Sequence, residues 1–143
     1  MGYMQDTIER EILISAPIER VWEIVTTPEH MGQWFGDAGA SRSGNVITMA
    51  WEKYGEADLE VVREDAPNTF AYYWDANVKE AGRTLVEFSL SAEDSGTRVR
   101  VVESGFAALK ATDEVRAELR EGNVGGWEHE LGDLERYAQT VTV

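Results

Sequence analysis

The sequence between residues 44 and 104 alternates apolar and polar side chains with a period of two, interrupted by short turn sequences. Residues 97–104, for example, set Val99 and Val101 against Arg98 and Arg100. Because successive side chains of a strand point to opposite faces, this pattern predicts strands with one buried face. Short turns between neighbouring strands favour antiparallel pairing. With a β-rich opening segment, the predicted strands are 6–14, 46–51, 56–63, 69–74, 84–90 and 97–104.

Helical spacing of apolar residues replaces this alternation in two other parts of the chain. Pro17 and Pro28 mark the starts of two short helices, the second over 29–35, since proline is well tolerated at a first helical position. The tail is a long helix with the apolar stripe Val115, Leu119, Trp127, Leu131, Leu134 and Ala138. Gly122, Gly125 and Gly126 each cost about 1 kcal/mol relative to alanine inside a helix. The pattern leaves open whether the helix breaks there or close packing compensates.

The order of these elements predicts an α+β fold with one strand, two short helices, five strands and a long helix. A six-stranded antiparallel sheet has one apolar face to bury, and the amphipathic terminal helix is its natural cover. A strongly curved sheet wrapped around a long helix tends to leave a cavity between them. The length of 143 residues corresponds to a single domain, here 1–143.

Composition removes several classes of function. The chain has no cysteine, which excludes disulfide scaffolds, cysteine zinc sites and thiol catalysis and fits a cytoplasmic location. Its apolar stretches are too short to span a bilayer. The formal net charge of −14, from 27 acidic and 13 basic residues, disfavours nucleic acids and anionic membrane surfaces as partners. We interpret this acidity as a contribution to solubility.

Aromatic side chains are the first candidates for a ligand site, because a pocket for an apolar molecule needs such a lining and a few orienting polar groups. The candidates are Trp34, Phe35, Trp51, Phe70, Tyr72, Trp74, Phe88 and Trp127. Simple core packing is the alternative for each ring. With so many large rings, the pocket could also be small or filled.

Glu103 is the most informative single residue. By the period of two it continues the face of Val99 and Val101, so if those valines point inward, a carboxylate does too. Such a group could orient a ligand hydroxyl or act as a general acid or base, with Tyr72 or Tyr73 as a hydrogen-bonding companion. A strand end near solvent, or a carboxylate bonded to a nearby Tyr or Trp, is the alternative.

Histidines and acidic clusters give weaker signals. His30 and His129 are the two histidines, and neither has a second histidine at ligand spacing, so we expect surface residues, no metal and no cofactor. Glycines follow no phosphate-binding pattern. The acids of the last helix are interpreted as a solvated face, with a docking surface for a basic partner as the alternative.

Four segments resemble a known superfamily. Residues 14–22 (ISAPIERVW) and 27–35 (TPEHMGQWF) resemble the start and second helix of the SRPBCC (START/Bet v 1-like) superfamily. Residues 96–106 and the Gly126-Trp127 pair, followed by Leu131 and Leu134, are similar to the branch related to the C-terminal domain of the Hsp90 ATPase activator. This resemblance implies a helix-grip fold, in which sheet and terminal helix enclose a hydrophobic pocket and the short helices close one end.

Three functions follow, and we favour the first. The protein binds a lipophilic small molecule between sheet and helix, through Trp34, Trp51, Tyr72, Trp74, Phe88, Val101, Glu103, Trp127 and Leu131. Alternatively, it is a cyclase- or hydrolase-type enzyme on a polyketide-like or aromatic substrate, with Glu103 as the acid/base. The family branch suggests a co-chaperone as the third and weakest function. A homodimer is left open, and the family fold serves too many functions to choose among these.

Overall fold

A seven-stranded antiparallel sheet forms the frame of the protein in our computed structural model, which describes residues 6–53, 55–75 and 78–141. Its order in space is β1-β7-β6-β5-β4-β3-β2. The strands are β1 (Thr7–Ile14), β2 (Ala40–Ser43), β3 (Val46–Trp51), β4 (Gly55–Asp65), β5 (Thr69–Trp74), β6 (Thr84–Glu93) and β7 (Gly96–Ser104). The first strand thus crosses to pair with the last, while the other six form a meander.

The prediction of six strands was wrong by one, because β2 was missed. Its sequence, ASRS, lacks apolar alternation, and three of its four residues are exposed. It is a strand only through its pairing with β3, from Ala40 opposite Met49 to Ser43 opposite Val46. A short edge strand with no buried face leaves no period-two signal in the sequence.

The two short helices, α1 (Ile18–Thr26) and α2 (Pro28–Trp34), lie between β1 and β2 as predicted. Pro28 occupies the beginning of α2, where its missing N–H removes no helical hydrogen bond. Phe35 and Gly36 both donate their backbone N–H to Met31 O and so end the helix. This end places Trp34 and Phe35 beneath the sheet.

The long helix α3 (Asp113–Val141) runs without interruption through its glycines, which answers the question that the sequence left open. Close packing does not compensate, since a Cβ atom added at Gly122, Gly125 or Gly126 would have nothing within 4 Å. Instead, the buried stripe of Trp127, Leu131, Leu134 and Ala138 holds the helix on the sheet. Tertiary packing of this stripe outweighs the low helix propensity of glycine.

The core lies between the concave face of the sheet and these helices. Val99, Val101 and Glu103 of β7 all point inward and are at most 1% exposed, as the alternation predicted. The register between β4 and β5 shifts between Val61 and Arg63, and an irregularity of this kind increases the local twist of a sheet. Within the described residues, no helix is long and apolar enough to span a membrane.

Candidate functional site

A cavity of about 840 Å³ opens at one end of the space between sheet and α3. Five aromatic side chains form its wall: Trp34, Phe35, Trp51, Trp74 and Trp127. The helices and strands that carry them meet only in the folded chain. Gly122 and Gly126 of α3 also line the cavity, where they expose bare backbone. Exposed residues, among them Gln33 and His129, also line the cavity, so its mouth reaches solvent.

Phe35 is the centre of the aromatic wall. Its ring centroid lies 5.0 Å from that of Trp34, 5.8 Å from Trp51, 5.5 Å from Trp74 and 5.6 Å from Trp127. These separations are typical of favourable aromatic pairs, each worth about 0.5–1.5 kcal/mol beyond its buried area. The rings therefore form one packed unit, and the cavity begins where this unit ends.

Hydrogen bonds orient two of the indoles on this wall. Trp34 donates its Nε1–H to Ile24 O at 2.9 Å, and Trp51 donates its Nε1–H to Phe35 O at 2.9 Å. A buried indole N–H without an acceptor is costly, so each bond disfavours other ring orientations. These two bonds thus fix the orientation of Trp34 and Trp51.

Glu103 fixes the other two indoles. Its side chain is completely buried and accepts hydrogen bonds from Trp74 Nε1 at 2.9 Å, Trp127 Nε1 at 2.8 Å and the Thr84 hydroxyl. Asn123 Nδ2 lies 3.1 Å from both carboxylate oxygens. All four partners present donors, which is the arrangement that a carboxylate requires in a buried site. Glu103 thus joins β5, β6 and α3 at one point.

This arrangement gives Glu103 the role of a positioning residue. Its carboxylate does not line the cavity; Trp74 and Trp127, which it holds, do. Each oxygen already accepts at least two hydrogen bonds, so a ligand hydroxyl would have to displace a protein donor. The geometry therefore favours the structural alternative over acid/base chemistry at Glu103.

Tyr72 lies close to this network but is not part of it. The side chain is fully buried, and its hydroxyl has no hydrogen-bond partner among the described residues. Burial raises the pKa of this phenol well above its usual value, and the negative charges of Glu103 and Glu130 raise it further. Tyr72 is therefore a neutral hydroxyl under physiological conditions.

Acidic side chains surround the mouth of the cavity: Asp37, Glu56, Glu130 and Asp133. Burial raises the pKa of Glu130 to about 9, and a hydrogen bond with Asp133 and the charges of Asp133 and Asp37 act in the same direction. Asp133 also pairs with Arg136 and lies 3.1 Å from His129 Nε2. At neutral pH, Glu130 consequently retains a proton that an ordinary carboxylate would have lost.

The model of the family described as activator of Hsp90 ATPase homolog 1-like protein matches residues 15–139, most of the chain. The protein belongs to this family. Its expected resemblance to the branch related to the Hsp90 ATPase activator is thereby confirmed. No curated protein matches the sequence.

Solved structures share the fold of this protein. Protein MLL2253 from Mesorhizobium loti superposes with a TM-score of 0.78 at 24% identity, over 96% of this chain and 99% of the other. DynU16, from the dynemicin biosynthetic locus, gives 0.75 at 23% identity, over 96% of this chain and 49% of the other. The Aha1 dimer from Colwellia psychrerythraea gives 0.73 at 21% identity, over 92% and 94%. Identities this low establish the fold alone.

Four of the nine residues predicted for the site line the cavity: Trp34, Trp51, Trp74 and Trp127. The other five do not line it and are buried in the core: Tyr72, Phe88, Val101, Glu103 and Leu131. Trp51 and Trp74 end β3 and β5 and line the cavity, whereas Tyr72 and Phe88 lie further along their strands and are buried.

Asn123 and Thr84 are the members of the Glu103 network that sequence reasoning missed. Both had a detectable signal. Asn123 falls on the apolar stripe of α3, four residues before Trp127, and Thr84 shares the inward face of β6. A polar residue on an otherwise apolar face points to a buried partner.

The histidines differ from the prediction at one position. His129 is exposed, as expected, although its ring, Glu130 and Asp133 place possible ligand atoms within 4.8 Å of one another. His30 was expected at the surface but is half-buried, because its Nδ1 lies 2.7 Å from the Tyr137 hydroxyl where α2 meets α3. Docking of these two helices, which sequence spacing does not reveal, buries it.

Proposed function

We propose that the protein binds a lipophilic small molecule in the cavity between the sheet and α3. The observation that carries this proposal is the aromatic wall of Trp34, Phe35, Trp51, Trp74 and Trp127 around a space of about 840 Å³. This volume lies within the range of about 300–1,000 Å³ that is usual for small-molecule sites. Apolar area that leaves water contributes about 25 cal/mol per Å². Trp51 offers most of the accessible ring area, since the other four rings are at most 6% exposed.

Rigidity of the wall supports the same function. All four indoles of the wall have their N–H groups bonded inside the protein, to Ile24, Phe35 and Glu103. A ligand therefore meets rings whose orientation is already fixed, and little conformational entropy is lost on binding.

Glycines in α3 provide further support. Gly122 and Gly126 lie one helical turn apart on the side that lines the cavity, and a Cβ atom at either would meet nothing within 4 Å. Any larger side chain there would project into the space that the ligand needs. The function thus accounts for residues that weaken the helix.

The remaining alternatives have less support. An enzyme that uses Glu103 would need a carboxylate free to exchange protons with a substrate, whereas this one is saturated by donors. The homodimer and the chaperone partner stay predictions, because the likeness to the Aha1 dimer is one of fold. We therefore retain ligand binding as the function.

Substitution of a single glycine tests the proposal. Gly126→Leu places a branched side chain in the cavity, while Gly125→Leu, one residue earlier and outside the cavity lining, is its matched control. Four of the five tryptophans line the cavity, so intrinsic fluorescence and thermal shift report binding from a panel of lipophiles. We expect a saturable response in the wild type and in Gly125→Leu, and at least a tenfold weaker affinity in Gly126→Leu. Equal affinities in the two variants, or no response from the wild type, would refute the proposal.

A further inference from the structure

Charge is distributed unevenly over the cavity. Four of its five aromatic rings are at most 6% exposed, whereas its four carboxyl groups are half-buried or exposed and so stand at its mouth. Arg136 and His129 are the basic side chains that line it, and both pair with Asp133. Within the described part of the chain, Asp37, Glu56 and Glu130 have no salt-bridge partner. A ligand head group at the mouth would therefore face carboxyl groups that no salt bridge among the described residues neutralises.

The aromatic wall is compatible with the same sign of charge. Indole rings attract cations through the negative potential of their faces, and tryptophan does so most strongly among the aromatic side chains. Three indoles that line the cavity lie close together, with centroids 6.5 Å apart for Trp51 and Trp74 and 5.8 Å apart for Trp74 and Trp127. An anionic ligand would be repelled by the acidic side chains at the mouth and would make no cation–π interaction with these rings.

We propose that the ligand is an amphiphilic cation, with an apolar body against the indoles and an amine or quaternary ammonium group at the acidic mouth. This inference rests on the proposed function and names its ligand class. The apolar body of the ligand supplies affinity through the indoles, and the acidic side chains at the mouth favour a positively charged head group. Neutral lipophiles of the same shape bind through the wall alone and hence more weakly.

Proton release should accompany this binding. Glu130 faces carboxyl groups from its own helix and from the loop after α2, and it is close enough to Tyr72 on the sheet to affect that phenol. The charged and titratable groups around it are Asp133, His129 and Arg136 of α3, Asp37 of the loop, Glu56 of β4 and Tyr72 of β5. With its pKa raised to about 9, Glu130 holds a proton that a bound cation would expel to the buffer. Cation affinity should therefore rise with pH, by at most tenfold per unit.

A pair of isosteric probes tests the proposal directly. Benzyltrimethylammonium and neopentylbenzene have the same shape and differ in one positive charge. At pH 8 and low salt we expect the ammonium probe to bind the wild type at least tenfold more tightly, with a smaller advantage at high salt. The double variant Asp37→Asn/Glu56→Gln should reduce the preference to less than threefold. Glu114→Gln/Glu118→Gln, an equal loss of charge at exposed positions of α3 that do not line the cavity, should preserve it.

The outcomes separate this inference from the proposed function. If the neutral probe binds as tightly as the cation and Gly126→Leu blocks it, ligand binding stands and the cation inference is wrong. An unchanged preference in Asp37→Asn/Glu56→Gln also overturns it. If neither probe binds the wild type, both proposals fail. Calorimetry in two buffers of different ionisation enthalpy measures the released proton, and Glu130→Gln should abolish both the release and the pH dependence.

Discussion

Replacing Glu103 by glutamine would test how the aromatic wall is held. The side chain keeps its shape, but one oxygen becomes an NH₂ donor. At the position of Oε1 this donor would meet Trp127 Nε1, now at 2.8 Å, and Asn123 Nδ2, now at 3.1 Å. At the position of Oε2 it would meet Trp74, Thr84 and Asn123. Either orientation places donors against each other inside the protein.

The NH₂ group at the Oε1 position is the less costly orientation, because Trp74 and Thr84 keep their acceptor. The Trp127 N–H then has none, and a buried unsatisfied donor costs about 1–3 kcal/mol. Loss of charge assistance weakens the remaining bonds by about 1 kcal/mol, while relief of the buried charge offsets part of this. We expect Glu103→Gln to lower the free energy of unfolding by about 2–3 kcal/mol.

Urea denaturation at pH 7 measures this loss. Glu128→Gln removes an exposed carboxylate next to Trp127 in the sequence and should change the free energy of unfolding by less than about 0.5 kcal/mol. Trp127→Phe removes the opposing donor, so in that background Glu103→Gln should cost at least about 1 kcal/mol less. If Glu103→Gln proves as stable as the control, or if the two substitutions are additive, the four donors do not hold the wall as argued.

Three further predictions concern other parts of the fold. Because folding raises the pKa of Glu130 to about 9 from 4.5, the folded protein binds this proton more tightly than the unfolded chain. Stability should therefore fall as pH rises from about 5 to 9, by at most about 1.4 kcal/mol per unit, and Glu130→Gln should flatten the denaturation midpoints over this range. Gly36→Ala should lower the melting temperature by several degrees, since the new Cβ would lie 2.6 Å from Ala50 O; an unchanged midpoint would contradict this steric argument. Gly125→Ala should raise the free energy of unfolding by about 1 kcal/mol, measured in urea, because it meets open space in a helix interior.

The sequence predicted most elements because their signals are local. Alternation located β3 (Val46–Trp51) and β5 (Thr69–Trp74) to the residue, and proline located the starts of α1 and α2. It also predicted that Glu103 points inward, since strand periodicity fixes a side chain's face once its neighbours are known to be buried. By contrast, β2 exists only through pairing with its partner, which no local pattern encodes.

The division of the aromatic residues depended on tertiary structure. Trp74 and Phe88 are both aromatic residues in strands, and the sequence alone does not show which of them lines the cavity. Only the position of α3 decides that Trp74 reaches the cavity and Phe88 does not. Tertiary structure also decides the surroundings of the acidic residues of α3, most of which are solvated as predicted. Glu130 and Asp133 are half-buried exceptions, and burial is the main reason that the pKa of Glu130 is raised, with a smaller contribution from Asp37, in a loop 93 residues earlier in the chain.

By itself, then, the sequence determined most of the strands and the α-helices, since periodicity and turn chemistry act between near neighbours, and its motifs indicated the family. The folded chain alone decided which rings line a hollow, which donors surround Glu103 and which carboxyl group retains its proton. Those properties depend on distances between residues far apart in sequence, and on the water that their contact excludes.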